Sequence, residues 1–479
     1  MKQKDRAPDS KQITGPSKRA RAEQDVPEYH LTPSFRDVNG DIIWPAPEDQ
    51  VKLARNIITR CAEAQKRTLI VPDKDADGLS SGVILKRTLE LLGLPSELID
   101  IHLISKGNNV HSDDERERMD AKSPEYVFVL DQGSRKSAPI IDRPHEGLVI
   151  DHHHATEDDF PENANFVTAC NSPPVATSAL LTYHICHPLH PDVGERCSWL
   201  CVVGTHGDLG NTLKWEPPFP EMKATFKRFT KKTLNEVVSY INAPRRTATY
   251  DVSSAWDALA SASEPSDVLK HPRLLAARHE VNAEVERCTH APPKFSADGK
   301  VAVLRISSEA QVHPVIATRW AGFLQSKALE IVMVANEGYL PGKVNFSCRI
   351  ARCARSRDPA VNIIQSLKAY AGPAIKTEGD QEETKTGTDE SNRPLIERLG
   401  DNFARGHVQA SGGIVDVAEF EELMSLMRVG EKASKAEGRA GAGATQSSPK
   451  KAIANQKNTL MNYFGNAKSP TKKRSNETS

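Results

Sequence analysis

The segment that decides the fold is residues 147–153, which run Gly147-Leu148-Val149-Ile150-Asp151-His152-His153. A short apolar run that ends in polar, turn-forming residues is typical of a buried parallel strand. In open α/β sheets, ligands bind at the carboxyl ends of such strands. The segment therefore predicts an α/β domain whose Asp-His-His triplet lies in the ligand-binding crevice.

Three other apolar segments are followed by acidic residues in the same way. Residues 68–71 precede Asp73, Asp75 and Asp77, residues 126–130 precede Asp131, and residues 200–204 precede Asp208. We interpret all four segments as strands of one parallel sheet. At least five carboxylates and two imidazoles should then converge on one crevice.

This set of side chains indicates a metal site. Asp75 and Asp77 alternate, so in an extended segment both would point the same way, and Gly78 would permit a tight turn into the following helix. Carboxylates and imidazoles without a thiolate suit Mn²⁺ or Mg²⁺. The ligands exceed the needs of one ion, so we expect two ions that share a carboxylate, an arrangement for phosphoester hydrolysis.

Each motif alone has a structural interpretation. Residues 73–78 could form a calcium-like loop or a capping turn, the His pair could lie on the surface, and Asp131 and Asp208 could be ordinary helix caps. Four acidic clusters at four strand ends in one domain are hard to explain in that way. The combination therefore favours a metal-dependent hydrolase.

Composition excludes several classes of protein. The 63 basic and 63 acidic residues balance, although residues 431–479 carry ten basic against three acidic residues. The eight cysteines form no Cys-x-x-Cys pair, which argues against a zinc module or a disulfide framework and suits a reducing compartment. Cys197 and Cys201 could bind zinc together with His187 and His190, but they lie in apolar segments, so we expect both to be buried thiols. No apolar run approaches the ~20 residues of a membrane span, and residues 1–5 lack the apolar stretch of a secretory signal, so we expect neither feature.

The pattern of apolar and polar residues predicts a first α/β domain and a second, smaller one joined by a helical linker. We predict a disordered basic segment at 1–41, the first domain at 42–212, the linker at 213–297, the second domain at 298–429 with a disordered acidic insertion at 371–394, and a basic tail at 430–479. Further predicted strands are 101–105, 301–304, 331–334 and 345–350, and predicted helices are 47–65, 79–92, 175–186, 313–329 and 361–370.

The order of these motifs resembles the DHH phosphoesterase superfamily. The second domain resembles the DHH-associated C-terminal domain of RecJ-type nucleases and oligonucleotide phosphodiesterases at residues 313–317 (His-Pro-Val-Ile-Ala), 347–349 (Ser-Cys-Arg) and 406–412 (Gly-His-Val-Gln-Ala-Ser-Gly). The resemblance covers roughly residues 65–212 and 298–425. It implies a doubly wound parallel sheet followed by a smaller α/β domain.

The resemblance also implies a role for each site residue. The implied metal ligands are Asp75, Asp77, Asp131, His152 and Asp208, with Asp131 bridging the two ions. His153 would contact the scissile phosphate, Asp151 would orient the His pair, and Arg349, Gly406, His407 and Gly412 would bind a substrate phosphate. Arg405 is a departure, because many relatives have the first of two glycines there.

The expected substrate is single-stranded DNA or RNA, or a short oligonucleotide. Residues 223–232 support this, since Lys and Arg alternate there with Phe226 and Phe229, as in a single-strand binding track. An amphipathic helix that buries both phenylalanines explains the same pattern equally well. A small-molecule nucleotide or polyphosphate phosphoesterase and a non-catalytic replication scaffold remain as alternatives, and the sequence does not decide the polarity of digestion, its processivity, the physiological metal or the oligomeric state.

The two ends of the chain suggest a location and a partner. Residues 18–21, 448–451 and 472–474 are short basic clusters of the kind that nuclear import receptors bind, so we expect residence in the nucleus. Residues 456–464 resemble the sliding-clamp-binding peptide called a PIP box, with Leu460, Tyr463 and Phe464 on one face of a helical turn. The motif's glutamine is displaced, because Lys457 stands where the motif has it and Gln456 lies one place earlier.

Overall fold

The computed structural model describes residues 33–372, 393–400 and 402–431, apart from the side chain of His407. All of these residues belong to one compact unit. Most of the predicted acidic insertion, the three basic clusters and the clamp-binding peptide lie outside the described residues. The domain boundaries given above remain predictions.

The described residues form helices and strands in the following order, with labels in chain order. They are α1 (Glu48–Ala64), β1 (Thr68–Pro72), α2 (Ala76–Leu91), β2 (Ile99–Ile101), α3 (Asp113–Ala121), β3 (Tyr126–Leu130), β4 (Glu146–Asp151), β5 (Asn165–Thr168), α4 (Ser178–Cys186), α5 (Asp192–Leu209), α6 (Lys223–Phe229), α7 (Lys231–Ile241), α8 (Val252–Ser261), α9 (Pro265–Lys270), α10 (Pro272–Cys288), β6 (Lys294–Phe295), β7 (Val301–Ile306), α11 (His313–Phe323), β8 (Ile331–Asn336), β9 (Lys343–Ile350), α12 (Ile363–Ala371), α13 (Leu395–Arg398), β10 (Arg405–His407), β11 (Ala410–Asp416) and α14 (Val417–Leu426).

The first sheet has five parallel strands in the order β2-β1-β3-β4-β5. Alternate side chains of its strands enter two different cores. Ile70, for example, belongs to a core that includes residues of α1, α2, α4 and α5, whereas Leu69 belongs to another that includes Met119 of α3. Because both faces are covered, the central strands are apolar throughout. The predicted doubly wound parallel sheet is confirmed.

The second sheet has six strands in the order β10-β11-β9-β8-β7-β6. Only β7 and β8 run parallel, and the other neighbours are antiparallel. Helices α10 and α11 cover one face, and α12, α13 and α14 cover the other. The predicted smaller α/β domain is therefore present, with a mixed sheet.

Residues between the two sheets are mainly helical and pack against both. Leu234 and Val237 of α7 belong to the core of the first sheet, whereas Ala277 and Val281 of α10 belong to a core of the second. Between these helices, residues Pro244–Arg246 form a single 3₁₀ turn. This segment therefore brings the Pro244–Arg246 turn to the boundary between the first and second sheets.

One predicted strand is wrong. Residues 200–204 lie inside helix α5, which is buried on nearly all sides, from Trp199 to His206. A helix that is surrounded by protein is apolar all round, so a five-residue window of it cannot be distinguished from a buried strand. Asp208 accordingly lies in the last turn of a helix and not after a strand.

Several predicted boundaries also need correction. Strand β2 ends at Ile101 instead of residue 105, and α11 ends at Phe323 instead of residue 329. Helix α2 begins at Ala76, so only Asp75, its N-cap, has an extended backbone, whereas Asp77 and Gly78 lie in the first turn of the helix. The sequence pattern does not predict β6, β10 or β11, because these strands are short or contain glycine.

Helices of the described part of the chain are all too short or too polar to cross a membrane. All eight cysteines are free thiols, and six of them, including Cys197 and Cys201, are buried. Both cysteines face an apolar core, which explains why burial raises the pKa of each thiol. The prediction that Cys197 and Cys201 are buried thiols is confirmed.

Candidate active site

Asp75 and Asp77 reach the crevice from the start of α2. Asp75 is the N-cap of this helix, and its Oδ1 accepts hydrogen bonds from the backbone N–H groups of Asp77 at 3.0 Å and Gly78 at 3.3 Å. A Cβ atom on Gly78 would lie 2.6 Å from the carbonyl oxygen of Asp73. Glycine is therefore needed there because the helix begins directly against the end of β1.

Asp77 is completely buried and is held by a second helix. Its two carboxylate oxygens accept hydrogen bonds from the backbone N–H groups of Ser178 at 2.8 Å and Ala179 at 3.0 Å, in the first turn of α4. Free N–H groups at a helix N-terminus favour a negative charge. This helix start therefore fixes the carboxylate of Asp77 in the crevice.

Asp131, His152 and Asp208 meet at the centre of the site. The Nε2 atom of His152 lies 3.3 Å from Oδ1 of Asp131 and 3.2 Å from Oδ2 of Asp208. Oδ2 of Asp77 is 3.9 Å from the same nitrogen. The structure thus brings together the side chains that the sequence placed at β1, β3 and β4 with one from helix α5.

The backbone at Asp131 is unusual. Its φ angle of 61° lies in the left-handed region, which non-glycine residues seldom adopt. Its N–H donates to the carbonyl oxygen of Ile150 on β4, and the Ser178 hydroxyl donates to its Oδ1 at 3.0 Å. Strain of this kind is concentrated at functional sites, and here it turns the carboxylate into the crevice.

Asp208 reaches the centre because α5 packs unusually close to α2 and α4. A Cβ atom on Gly204 would lie 2.3 Å from the Cβ of Ala179 and 2.9 Å from Oδ1 of Asp77. Any larger residue at this position would push the helices apart. Gly204 thus allows α5 to lie close to α2 and α4, and this close packing places Asp208 at the centre of the site.

Asp151 holds the two histidines. Its Oδ1 accepts hydrogen bonds from the backbone N–H of His152 at 2.7 Å and from Nδ1 of His153 at 2.8 Å, and its Oδ2 accepts from the Ser134 hydroxyl at 2.6 Å. A carboxylate that receives an imidazole N–H fixes the orientation of the ring. Asp151 is thus placed to orient His153, whose side chain is 44% exposed.

The electrostatics of the site reflect crowded carboxylates. Burial, reinforced by Asp208, raises the pKa of Asp77 to about 7, and burial together with Asp77 raises the pKa of Asp131 well above its usual range. Although burial opposes it, His153 holds the pKa of Asp151 below its usual range. A cluster that binds protons this readily without a cation is arranged to bind a cation when one is present.

A basic cluster lies beside this acidic one. It contains Arg246 in the 3₁₀ turn, Arg349 on β9 and His313 at the start of α11. Neither arginine has a carboxylate partner among the described residues, and the Nε atom of Arg246 and the Nδ1 atom of His313 have no hydrogen-bond partner there. Burial, with the nearby arginines, lowers the pKa of His313 to about 3.

The sequence pattern predicts only part of this basic cluster. The resemblance implies a phosphate-binding role for Arg349, and His313 lies in the motif at residues 313–317 without a role, but no pattern singles out Arg246 or its neighbour Arg245. The only local signal is two consecutive arginines after Pro244 in a helical segment. Burial lowers the pKa of Arg246 to about 9. Asp75 and Arg349 are close enough to Arg246 to shift this pKa as well.

Comparison with known families identifies the domain that carries the acidic site. Residues 67–204 match the model of the DHH family, N-terminal domain. The chain carries a DHH domain. Within and beside this match, acidic and imidazole side chains form groups that could hold metal ions. A search of curated protein sequences found no match.

Solved structures show that the fold extends beyond the DHH domain. RecJ of Thermus thermophilus, in complex with Mn²⁺, is 18% identical with a TM-score of 0.50, and the match covers 80% of this chain and 55% of RecJ. The DHH domain of a protein described as a member of a family of ribosomal proteins is 14% identical with a TM-score of 0.55, and the match covers 80% of this chain and 90% of that one. At these identities the likeness is one of fold.

The side chains of the DHH domain fit divalent metal ions. Three groups have ligand atoms that all lie within 4.8 Å of one another, namely Asp131, His152 and His153, then Asp77, His152 and Asp208, and then Asp73, Asp75 and Asp131. Because Asp131 and His152 each belong to two groups, the arrangement suits two neighbouring ions better than one. Oxygen and imidazole donors without a thiolate fit Mn²⁺ or Mg²⁺.

The glycine-rich strands of the second sheet have mixed roles. Gly406 has φ of 101°, which only glycine adopts readily, and a Cβ atom on Gly412 would lie 2.4 Å from the carbonyl oxygen of Phe346. Gly412 is therefore explained by close strand packing. Arg405 is paired with Gly412 in the sheet. Burial lowers the pKa of His111, and the charges of Arg135 and Arg405 lower it further.

The segment rich in Lys, Arg and Phe is not a base-stacking track. Phe226 and Phe229 of α6 pack against the core of the DHH domain, and the Phe226 ring lies 6.0 Å from that of Trp215. The Trp215 Nε1–H in turn donates to His206 at 3.1 Å. The amphipathic-helix interpretation therefore explains residues 223–232, with the aromatic rings used for packing.

Proposed function

We propose that the chain is a phosphodiesterase that hydrolyses single-stranded nucleic acid or short oligonucleotides. The observation that carries this proposal is the basic cluster of Arg246, Arg349 and His313 beside the acidic site. A mononucleotide or an orthophosphate ester has one phosphate to offer, and the acidic site would take it. A second anion-binding region is useful when the substrate carries a further phosphate along a chain.

Different residues of the site would bind the metal ions, orient His153 and bind a neighbouring phosphate. The two ions would activate a water molecule and stabilise the charge on the scissile phosphate. Asp75, Asp77, Asp131, His152 and Asp208 would hold the ions, and Asp151 would keep His153 oriented toward the scissile phosphate. Arg246 and Arg349, with the glycine-rich strand that carries His407, would hold a neighbouring phosphate through charge-assisted hydrogen bonds.

A substrate panel tests the proposal. The full chain, with Mn²⁺, would be assayed against labelled single-stranded DNA and RNA, a dinucleotide, a nucleoside monophosphate and inorganic polyphosphate. We expect turnover of the oligonucleotides with little or none of the monophosphate. Turnover of polyphosphate or of the monophosphate alone would replace this proposal with the small-molecule alternative.

We also propose that the protein works in the nucleus, in DNA replication or repair. The support comes from the basic clusters at residues 18–21, 448–451 and 472–474. A fluorescently tagged chain should accumulate in nuclei, and substitution of the clustered Lys and Arg residues by Ala should release it. A tagged chain that stays in the cytosol or in mitochondria would contradict the proposal.

We further propose that the tail binds a replicative sliding clamp. Leu460, Tyr463 and Phe464 have the spacing of a three-residue apolar anchor, which a pocket on such a clamp would accept. A peptide spanning residues 450–470 should bind the clamp at micromolar strength, and the double substitution Tyr463→Ala, Phe464→Ala should cost several kcal/mol, or at least about a hundredfold in Kd. Calorimetry that shows equal binding by both peptides would remove the clamp as a partner.

A further inference from the structure

Arg245 occupies an unusual position between the acidic and basic clusters. Its side chain is only 14% exposed. Its Nε donates to Oδ1 of Asn242 at 3.1 Å, and its NH1 donates to Oε1 of Gln311 at 3.4 Å. Both acceptors are neutral amides, so they fix the guanidinium in place without compensating its charge.

The third nitrogen of Arg245 faces the metal site. Its NH2 atom lies 3.7 Å from Oδ2 of Asp75, which is too long for a hydrogen bond. The other oxygen of Asp75 caps helix α2, so Oδ2 is the oxygen that remains for a cation. The charge of Arg245 is therefore held next to the point where Asp75 would bind an ion.

Two anchors hold this geometry from opposite sides. Oδ1 of Asn242 also accepts the backbone N–H of Ala76 at 3.3 Å, which ties the linker to the start of α2. The backbone N–H of Gln311, in the loop before α11, donates to the carbonyl oxygen of Arg246 at 3.0 Å. Arg245 is thus positioned by the DHH domain through Asn242 and by the second sheet's loop through Gln311.

We propose that Arg245 contacts a phosphoryl oxygen of the substrate beside the ion held by Asp75, and that Gln311 is a positioning residue that aims it. A donor that is already oriented stabilises charge on the phosphate without reorganising during the reaction. The planar guanidinium also matches the geometry of phosphate oxygens better than an ammonium group does. This inference rests on the phosphodiesterase activity proposed above.

A double-mutant cycle tests the pair. Steady-state kinetics on a single-stranded oligonucleotide that the wild type cleaves, at saturating Mn²⁺, would compare Arg245→Gln, Arg245→Lys, Gln311→Leu and the double variant Arg245→Gln, Gln311→Leu. We expect Arg245→Gln to lower kcat/KM by about 10²–10³-fold and Arg245→Lys to recover part of the loss. Gln311→Leu should cost roughly tenfold, and the double variant should be no worse than Arg245→Gln, because Gln311 acts through Arg245.

Calorimetry with Mn²⁺ alone separates this role from a structural one, because Arg245→Gln should bind Mn²⁺ as the wild type does. A matched control is Arg398→Gln, since Arg398 is 17% exposed and is paired with Glu419 beside the second sheet, and its loss should leave kinetics unchanged.

Three results would overturn the inference. They are wild-type kinetics for Arg245→Gln, a loss of Mn²⁺ binding that accounts for its defect, and additive effects in the cycle. A wild type that cleaves no oligonucleotide would instead refute the proposed function.

Discussion

The acidic cluster of the DHH domain and the neighbouring basic cluster have opposite charges but are built in the same way. The first crowds Asp77, Asp131 and Asp208 around His152, and the second gathers Arg246 and Arg349 around the buried His313. In each cluster, like charges are crowded together and most of them are buried, which costs free energy in the absence of a ligand.

Each region lacks a charge of the opposite sign. Bound cations would balance the carboxylates, and a bound anion would balance the guanidinium groups. A substrate phosphate beside two metal ions satisfies both conditions at once. Within the protein the two regions meet where NH2 of Arg245 lies 3.7 Å from Oδ2 of Asp75, which is too long for a hydrogen bond. The predictions below test the two regions separately.

The largest effect is expected at the centre of the acidic cluster. Asp131→Ala should abolish Mn²⁺-dependent hydrolysis, because it removes the carboxylate that two groups of metal ligands share. The measurement is turnover of a single-stranded oligonucleotide by a variant whose circular dichroism matches the wild type. Asp120→Ala is the control, since this paired carboxylate lies on α3 away from the crevice, and near-normal turnover by Asp131→Ala would refute the metal assignment.

Substitutions in the basic region should weaken substrate binding more than they slow the chemical step. Arg349→Ala and His407→Ala are each expected to raise the KM for short oligonucleotides by about 10–100-fold, the value of one or two charge-assisted hydrogen bonds, with a smaller fall in kcat. Initial rates over a range of substrate concentrations give both constants. A loss confined to kcat would place these residues in the chemical step and erase the distinction between the two clusters.

Asp151 should give an intermediate effect within the acidic region. Asp151→Asn keeps the size of the side chain but weakens its hold on His153, and loss of such an orienting partner typically costs about 10–100-fold in activity or metal affinity. Mn²⁺ titration together with kcat would show the change. The idea fails if Asp151→Asn matches the wild type in both.

The smallest expected effect is on stability. Burial raises the pKa of Asp75, Asp77 and Asp131, so the metal-free folded state binds protons that the unfolded chain releases near pH ~4. The raised pKa of His152 acts in the same sense, because its carboxylate neighbours outweigh its burial. This stabilisation is complete at low pH and is lost as pH rises through about 7, the folded-state pKa of Asp77.

Thermal unfolding checks this prediction. The Tm without metal should fall by several degrees between about pH 5.5 and about pH 8, and Mn²⁺ should raise the Tm more at the higher pH, where the carboxylates are ionised. Asp77→Asn should flatten the pH dependence of the metal-free protein. A metal-free Tm that rises with pH over this range would contradict the picture of a proton-binding acidic cluster.

The sequence alone determined the parallel sheet and most of the acidic cluster. Residues 68–71, 126–130 and 147–150 are largely apolar runs that are too short for helices and are followed by polar residues. Both their conformation and their common edge therefore follow from local pattern and sheet geometry. Every aspartate that was expected near the crevice on this basis lies there. These features are local in sequence or follow from a general rule of sheet topology, which is why they could be predicted.

Tertiary structure alone decided the rest. Residues 200–204 have the composition of a strand, and only their burial on all sides inside α5 makes them a helix that presents Asp208. Arg245 and Arg246 are inconspicuous in a helical segment until packing sets them between Asp75, Gln311 and Arg349. The roles of Asp208, Arg245 and Arg246 depend on their distances to residues that are far away along the chain. No local sequence pattern encodes those distances.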